Sequence, residues 1–254
     1  MSLKNSEKQL SITDRKGKEM SKKTRNILIA VISCIVLVGV GTYVIFSSVK
    51  EFDAKGYVKA ILDKTIKGET KEAAALLEGV TEESMKAQYD AEMKSFTKQI
   101  IEGAEMDEET EARYTELCKK IFASMKYEVV DVKKTEDENY EVTVKYQSVD
   151  VFTRFIETVD EEGARLHDKV EKGEYQGSEI NRDDQVAEMD AQLKQDYIAN
   201  AYTLLEQYYN EMQFGEEQTM IFVVEKNADG KYSMKAEQIK EFVGKISALN
   251  EFLY

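Results

Sequence analysis

His167 is the chain's single histidine, set in Ala164-Arg165-Leu166-His167-Asp168-Lys169. An imidazole beside a carboxylate can work as a general base. No serine or cysteine nucleophile is signposted near it, so a solvent-facing histidine is the expectation. A histidine-based zinc site needs more than one histidine and is excluded within one chain. Cys118 neighbours an apolar stripe, where a buried unreactive thiol is expected rather than a nucleophile. Glu225-Lys226-Asn227-Ala228-Asp229-Gly230 places oxygen ligands at alternate positions before a glycine, in the manner of a calcium loop. An EF-hand needs a bidentate glutamate at its twelfth position. Counted from Glu225 that position is Ala236, which leaves a hairpin turn. Glu136-Asp137-Glu138 and Asp183-Asp184 offer weak calcium sites, but a turn and a helix N-terminus explain them without an ion. Tyr197, Tyr202, Tyr208 and Tyr209 crowd one helix. Tyrosine combines contact area with a polar tip, so that helix can line a pocket or interface, although a core face is the plainer expectation. No dinucleotide fingerprint, P-loop, nucleophile elbow or zincin motif occurs. No catalytic, cofactor-binding or metal-ligating residue is therefore assigned, no cofactor is expected, and the chain reads as a non-enzyme.

The elements that position these residues follow from periodicity. Asp53 suits a helix N-cap, and Val58, Ile61, Leu62 and Ile66 follow at helical spacing up to Gly68. Thr70–Glu78 reads as a short second helix. Thr81 caps a third, with Met85, Tyr89, Phe96 and Ile100 on one face; Asp107 opens a fourth, with Tyr114, Leu117, Ile121 and Met125. The period then switches to two, because Tyr140, Val142, Val144 and Tyr146 alternate with polar residues. With Tyr127–Val132 before it, this predicts a hairpin. Val151–Lys172 returns to helix, Gly173–Arg182 is a loop, and Asp183 caps a long helix expected to reach about Phe214. Its stripe runs from Val186 through Leu193, Tyr197 and Leu205 to Met212. A second hairpin spans Thr219–Met234 with Gly230 set for positive φ, and Ala236–Leu249 is the last helix. Residues 51–254 read as a single α+β domain.

One stretch divides the chain. Ile27–Val49 holds 23 residues without an acidic, basic, amide or histidine side chain. A helix of about 20 apolar residues crosses a bilayer core roughly 30 Å thick, so a transmembrane helix is expected. Residues 1–26 carry eight Lys/Arg against three Asp/Glu, a net of +5, and Lys50 adds one more. Since the whole chain is at −14, residues 51–254 stand at −20. Basic flanks stay cytoplasmic, which predicts a cytoplasmic tail over 1–26, a span over 27–49 and an extracytoplasmic domain over 51–254. A domain so acidic disfavours nucleic acid. Val31-Ile32-Ser33-Cys34 also looks like a lipobox, which would make the chain lipoprotein-like. The apolar run continues through Phe46, longer than the core of a cleaved signal, so an uncleaved single-pass anchor is preferred.

Tyr57–Gly68, the helix pair after it, Tyr127–Val132 and Phe222–Tyr232 together resemble membrane-anchored extracytoplasmic proteins of Gram-positive bacteria, especially gut clostridia. Their domains of unknown function are in several cases similar to the cystatin/NTF2-like superfold. The resemblance covers residues 53–234 in pattern. It implies helices packed on a curved antiparallel sheet of about four strands, and this chain departs from that plan by a long helical insertion over about 150–215. It further implies a binding or accessory module at the cell envelope, facing a protein, peptide or envelope ligand. The superfold hosts enzymes too. An extracytoplasmic hydrolase using carboxylates, with His167 nearby, is the alternative, and a single-pass signalling protein is a third reading.

Overall fold

A computed structural model describes residues 52–77, 79–101, 105–174 and 182–249, with side chains of the long helix taken from residue 191 onward. The tail 1–26, the apolar run 27–49 with Cys34, and most of the Gly173–Arg182 loop lie outside these residues. Among the described residues no helix is long and apolar enough to cross a membrane.

Helix α1 (Ala54–Leu62) starts where Asp53 accepts a hydrogen bond from the Gly56 amide at 2.8 Å. It runs into a π-helical turn, Asp63–Lys67, which Gly68 ends at φ 70°. The short α2 (Lys71–Leu76) follows. Thr81 and Ser84 close a reciprocal capping box on α3 (Glu82–Ile100), satisfying amides that a helix start leaves without partners. Asp107 caps α4 (Glu108–Ala123) through the Thr110 amide at 2.7 Å. The caps expected at Asp53, Thr81 and Asp107 are present because each is a local exchange of hydrogen bonds, whereas the long helix already begins at Arg182, one residue before the cap expected at Asp183.

Two strands, β1 (Lys126–Lys134) and β2 (Tyr140–Val149), pair antiparallel with an irregularity at Val129/Asp131. Next come α5 (Val151–Glu171) and α6 (Arg182–Asn210), then β3 (Phe214–Lys226), β4 (Tyr232–Met234) and α7 (Ala236–Ile246). The four strands form one antiparallel sheet in the order β1-β2-β3-β4. The fold is therefore α+β, with α5 and α6 connecting two neighbouring strands. Phe214 corrects the sequence expectation: it opens β3, paired with Val149, instead of ending the long helix. The long helix stops at Asn210, and the Gln213 amide donates to Asp150 Oδ1 at 3.0 Å.

One face of the sheet is packed. Tyr140, Val142, Val144 and Tyr146 of β2 and Met220, Phe222 and Val224 of β3 are buried. Phe242 of α7 sits 5.3 Å from both Tyr146 and Phe222. Phe52 stacks on Tyr232 at 4.1 Å, which fixes the start of the domain to the last strand. A second cluster joins three helices: Phe96, Phe122 and Phe152 lie 5.0–5.4 Å apart across α3, α4 and α5. Each such ring contributes about 1.5–3 kcal/mol when fully buried. The helical stripes read from the sequence, including Met85, Tyr89, Phe155, Leu166, Ile239 and Val243, are buried.

Candidate functional site

Helix α4 buries Tyr114, Leu117 and Ile121, and this orientation turns Glu109, Arg113, Glu116 and Lys120 outward. Helix α6 crosses beside it. Tyr114 donates its hydroxyl to the Ile198 carbonyl at 2.6 Å and meets Tyr202 edge-to-face at 5.1 Å. The Arg113 guanidinium lies over the Tyr202 ring, 4.6 Å from its centroid. Such a contact is worth about 0.5–1 kcal/mol at an exposed site. Between the two helices runs an open groove of about 510 Å³. Buried Leu117 and the half-buried Tyr202 and Tyr209 line it with Ala112, and exposed Glu109, Arg113, Glu116, Lys120, Glu206 and Asn210 surround them. Glu116 is held by Lys119 at 2.8 Å, which also reaches Asp90 at 2.8 Å.

The four tyrosines of α6 therefore divide. Tyr202 and Tyr209 line the groove, half-buried. Tyr208 is buried on the opposite side, donating to Thr158 Oγ1 at 3.0 Å with Arg154 stacked at 4.3 Å. Tyr197 packs toward Gly163 of α5. Helical spacing alone separates them, since residues seven apart share a face and immediate neighbours do not.

His167 is not part of this arrangement. Its side chain is 73% exposed on α5, with Glu171 Oε1 3.7 Å away. Cys118 is a free, fully buried thiol, and burial pushes it up to about 12. A thiol so far from the thiolate is inert as a nucleophile. The Glu225–Gly230 segment is a hairpin turn in which Asn227 Oδ1 accepts from the amides of Asp229 and Lys231 at 3.0 and 2.9 Å. Glu138 pairs with Lys226 at 2.7 Å. Among the described residues no group of three or more His, Cys, Asp or Glu is placed to hold a metal ion.

Sequence reasoning missed a set of enclosed charges around the π-helical turn. Asp63 accepts from the Tyr127 hydroxyl at 2.5 Å, bonds Lys59, and has Lys67 at 3.5 Å. Burial pushes its carboxyl up, but the hydrogen bonds from Lys59 and Tyr127 and the charges of Lys59 and Lys67 carry it below the ordinary value. Burial and the Asp63 bond hold the Tyr127 hydroxyl well above its own. Proton transfer near neutrality needs both groups moved the other way, so this pair is a strut. On the far side of the turn Lys64 and Glu92 are both buried, 3.8 Å apart. Burial raises Glu92 despite Lys64 and Gln88, and burial lowers Lys64 despite Glu92. Neither residue lines the groove. The only sequence trace of the cluster is Lys59, Asp63 and Lys67 at spacings of four.

No protein-family profile matches the chain, and no curated protein and no solved structure is significantly similar to it.

Proposed function

We propose that the chain is a single-pass, membrane-anchored protein of the Gram-positive envelope. Residues 1–26 are cytoplasmic, 27–49 span the bilayer, and 51–254 act outside as a non-enzymatic binding or accessory module. The apolar run and the charge step across it, from +5 to −20, support the placement. The α+β architecture, with α5 and α6 between its two hairpins, suits a cystatin/NTF2-like sheet carrying a long helical insertion. That superfold leaves function open.

The observation that carries the binding role is the α4/α6 groove lined by Tyr202, Tyr209 and Arg113. Pockets that bind are apolar with a few polar groups placed around them, and tyrosine and arginine are the residues that anchor interfaces. The hydrolase reading needed enclosed carboxylates with the histidine at hand. Instead the three glutamates of the groove are exposed, and His167 stands in solvent on another helix. Water-screened carboxylates lack the environment that makes one acid and another base.

The test uses the full-length protein, extracted in non-ionic detergent and immobilised, with the envelope fraction of its host passed over it. Tyr202→Ala/Tyr209→Ala should lose the retained component, while circular dichroism and the retention by His167→Ala stay as in the wild type. Equal retention by the tyrosine variant would remove the groove from the account.

A further inference from the structure

Strand β3 is 13 residues long and is paired with β2 along nearly all of it, whereas β4 covers only Val224–Lys226. At Val223 the neighbouring strand is replaced by a side chain. The Val223 amide donates to Gln238 Oε1 at 2.7 Å, and Gln238 Nε2 donates to the Val223 carbonyl at 3.0 Å. Main-chain groups alternate sides along an antiparallel strand. Lys226 N–H turns toward β2, donating to Asn139 Oδ1 at 2.8 Å, and Val223 turns the other way. By the same alternation Glu217, Thr219 and Ile221 present their N–H and C=O groups at the open edge beyond Gln238.

This edge is also uncovered on its faces. Gly215 to Thr219 are exposed, Gln218 included although it shares a face with buried Met220 and Phe222 and accepts from the Tyr146 hydroxyl at 2.8 Å. Ile221 is 53% exposed, the one large hydrophobic side chain so placed among the described residues. Unpaired edges template pairing with another chain, and proteins blunt them with charge or cover. Here Gln238 closes one position, and among the described residues no other group pairs with this edge.

We propose that the β3 edge from Gly215 to Phe222 takes an extended cationic peptide as a fifth strand. Extended backbone is what three outward pairs of main-chain groups can bond, as in other cases of strand addition. Cationic character follows from exposed Glu216 and from the −20 of residues 51–254; Glu217 is already paired with Lys145 of β2 at 2.7 Å, and a basic peptide residue there shares that carboxylate. A second copy fits less well. A ladder of about five residues spans only about 17 Å and buries far less than the roughly 1,200 Å² of a stable interface. It would also set two strongly acidic domains edge to edge. In an antiparallel ladder the peptide places an apolar residue beside Ile221 and a basic one beside Glu217, four positions later.

The test is fluorescence anisotropy of two labelled heptapeptides, KVVTTKK and the charge-reversed EVVTTEE, titrated with full-length protein in non-ionic detergent. Thr219→Pro removes one outward N–H but no bond to β2, which is the place a sheet edge tolerates proline. The cationic peptide should bind wild type and weaken at least tenfold with Thr219→Pro and with Glu216→Lys/Glu217→Lys. Binding should also fall with salt, and the acidic peptide should not bind. The second variant decides the matter if the proline variant fails to fold. Three results overturn the proposal: no binding of the cationic peptide, equal binding of both peptides, or unchanged binding by the charge-reversal variant. Sedimentation showing a dimer that Thr219→Pro dissolves would overturn it in favour of a second copy.

Discussion

Asp63 and Glu92 are both buried carboxylates next to lysines, yet the fold moves them in opposite directions. For Asp63 the folded value lies below the unfolded one of about 4. Its stabilisation is therefore complete above pH 4 and lost as pH falls through the folded value. Asp63→Asn should lower stability at pH 7 by about 1.5–3 kcal/mol, the range for bonds to a charged group. The gap to wild type should close as pH falls through the lowered folded value, in urea titrations followed by circular dichroism. An unchanged gap at low pH would show that the carboxylate charge is irrelevant. For Glu92 the folded value is raised, so its contribution is most favourable at low pH and declines as pH rises through that value. Buried pairs of this kind are poor stabilisers, but breaking one strands the other charge. Glu92→Leu alone should cost about 3–5 kcal/mol, and Lys64→Met/Glu92→Leu should return close to wild type. Additive losses in a double-mutant cycle would contradict this. None of these roles was legible in the sequence. With 33% of residues charged, carboxylates near lysines are everywhere, and only the folded chain shows which ones lose water. Tyr202 stood out in the tyrosine-rich helix, but its contact with Arg113 was hidden, because no periodicity links two helices so far apart in the chain.

At the scale of the element, the local signatures were readable and the long-range ones were not. Asp53, Thr81 and Asp107 each bond an amide three residues on, so their sequence spacing is their mechanism. Phe214 misled because Tyr208, Met212 and Phe214 continue an apolar run, and pairing with Val149 decides its state. The π-helical turn gave no periodic sign either. It ends at Gly68, where a Cβ would come within 2.5 Å of the Tyr89 ring, at φ +70°. Gly230 has a similar φ of +76° with nothing near. Left-handed backbone costs a non-glycine residue about 1–2 kcal/mol, and overpacking adds about 1–3 more. Gly68→Ala should therefore destabilise by roughly 2–5 kcal/mol and Gly230→Ala by only about 1–2. Equal losses in denaturant melts would mean that the Tyr89 contact relaxes freely.

At the scale of the molecule, alternation in β2 and the second hairpin announced a sheet, but the order of its strands came only from β2 pairing with β3 across the whole of α5 and α6. Charge, by contrast, is a property of the sequence itself. The step from a basic tail through an uncharged run to an acidic domain carries the account that residues 51–254 work outside a membrane. The buried thiol of Cys118 makes the direct test clean, because it leaves the native domain unreactive to maleimide. In a Cys34→Ser background, Ser6→Cys and Asp229→Cys variants are treated on intact cells with a membrane-impermeant maleimide. Outward placement predicts that the Asp229 position labels on intact cells and the Ser6 position labels only after lysis. Labelling at Ser6 first, or full-length protein recovered in the soluble fraction, would contradict it.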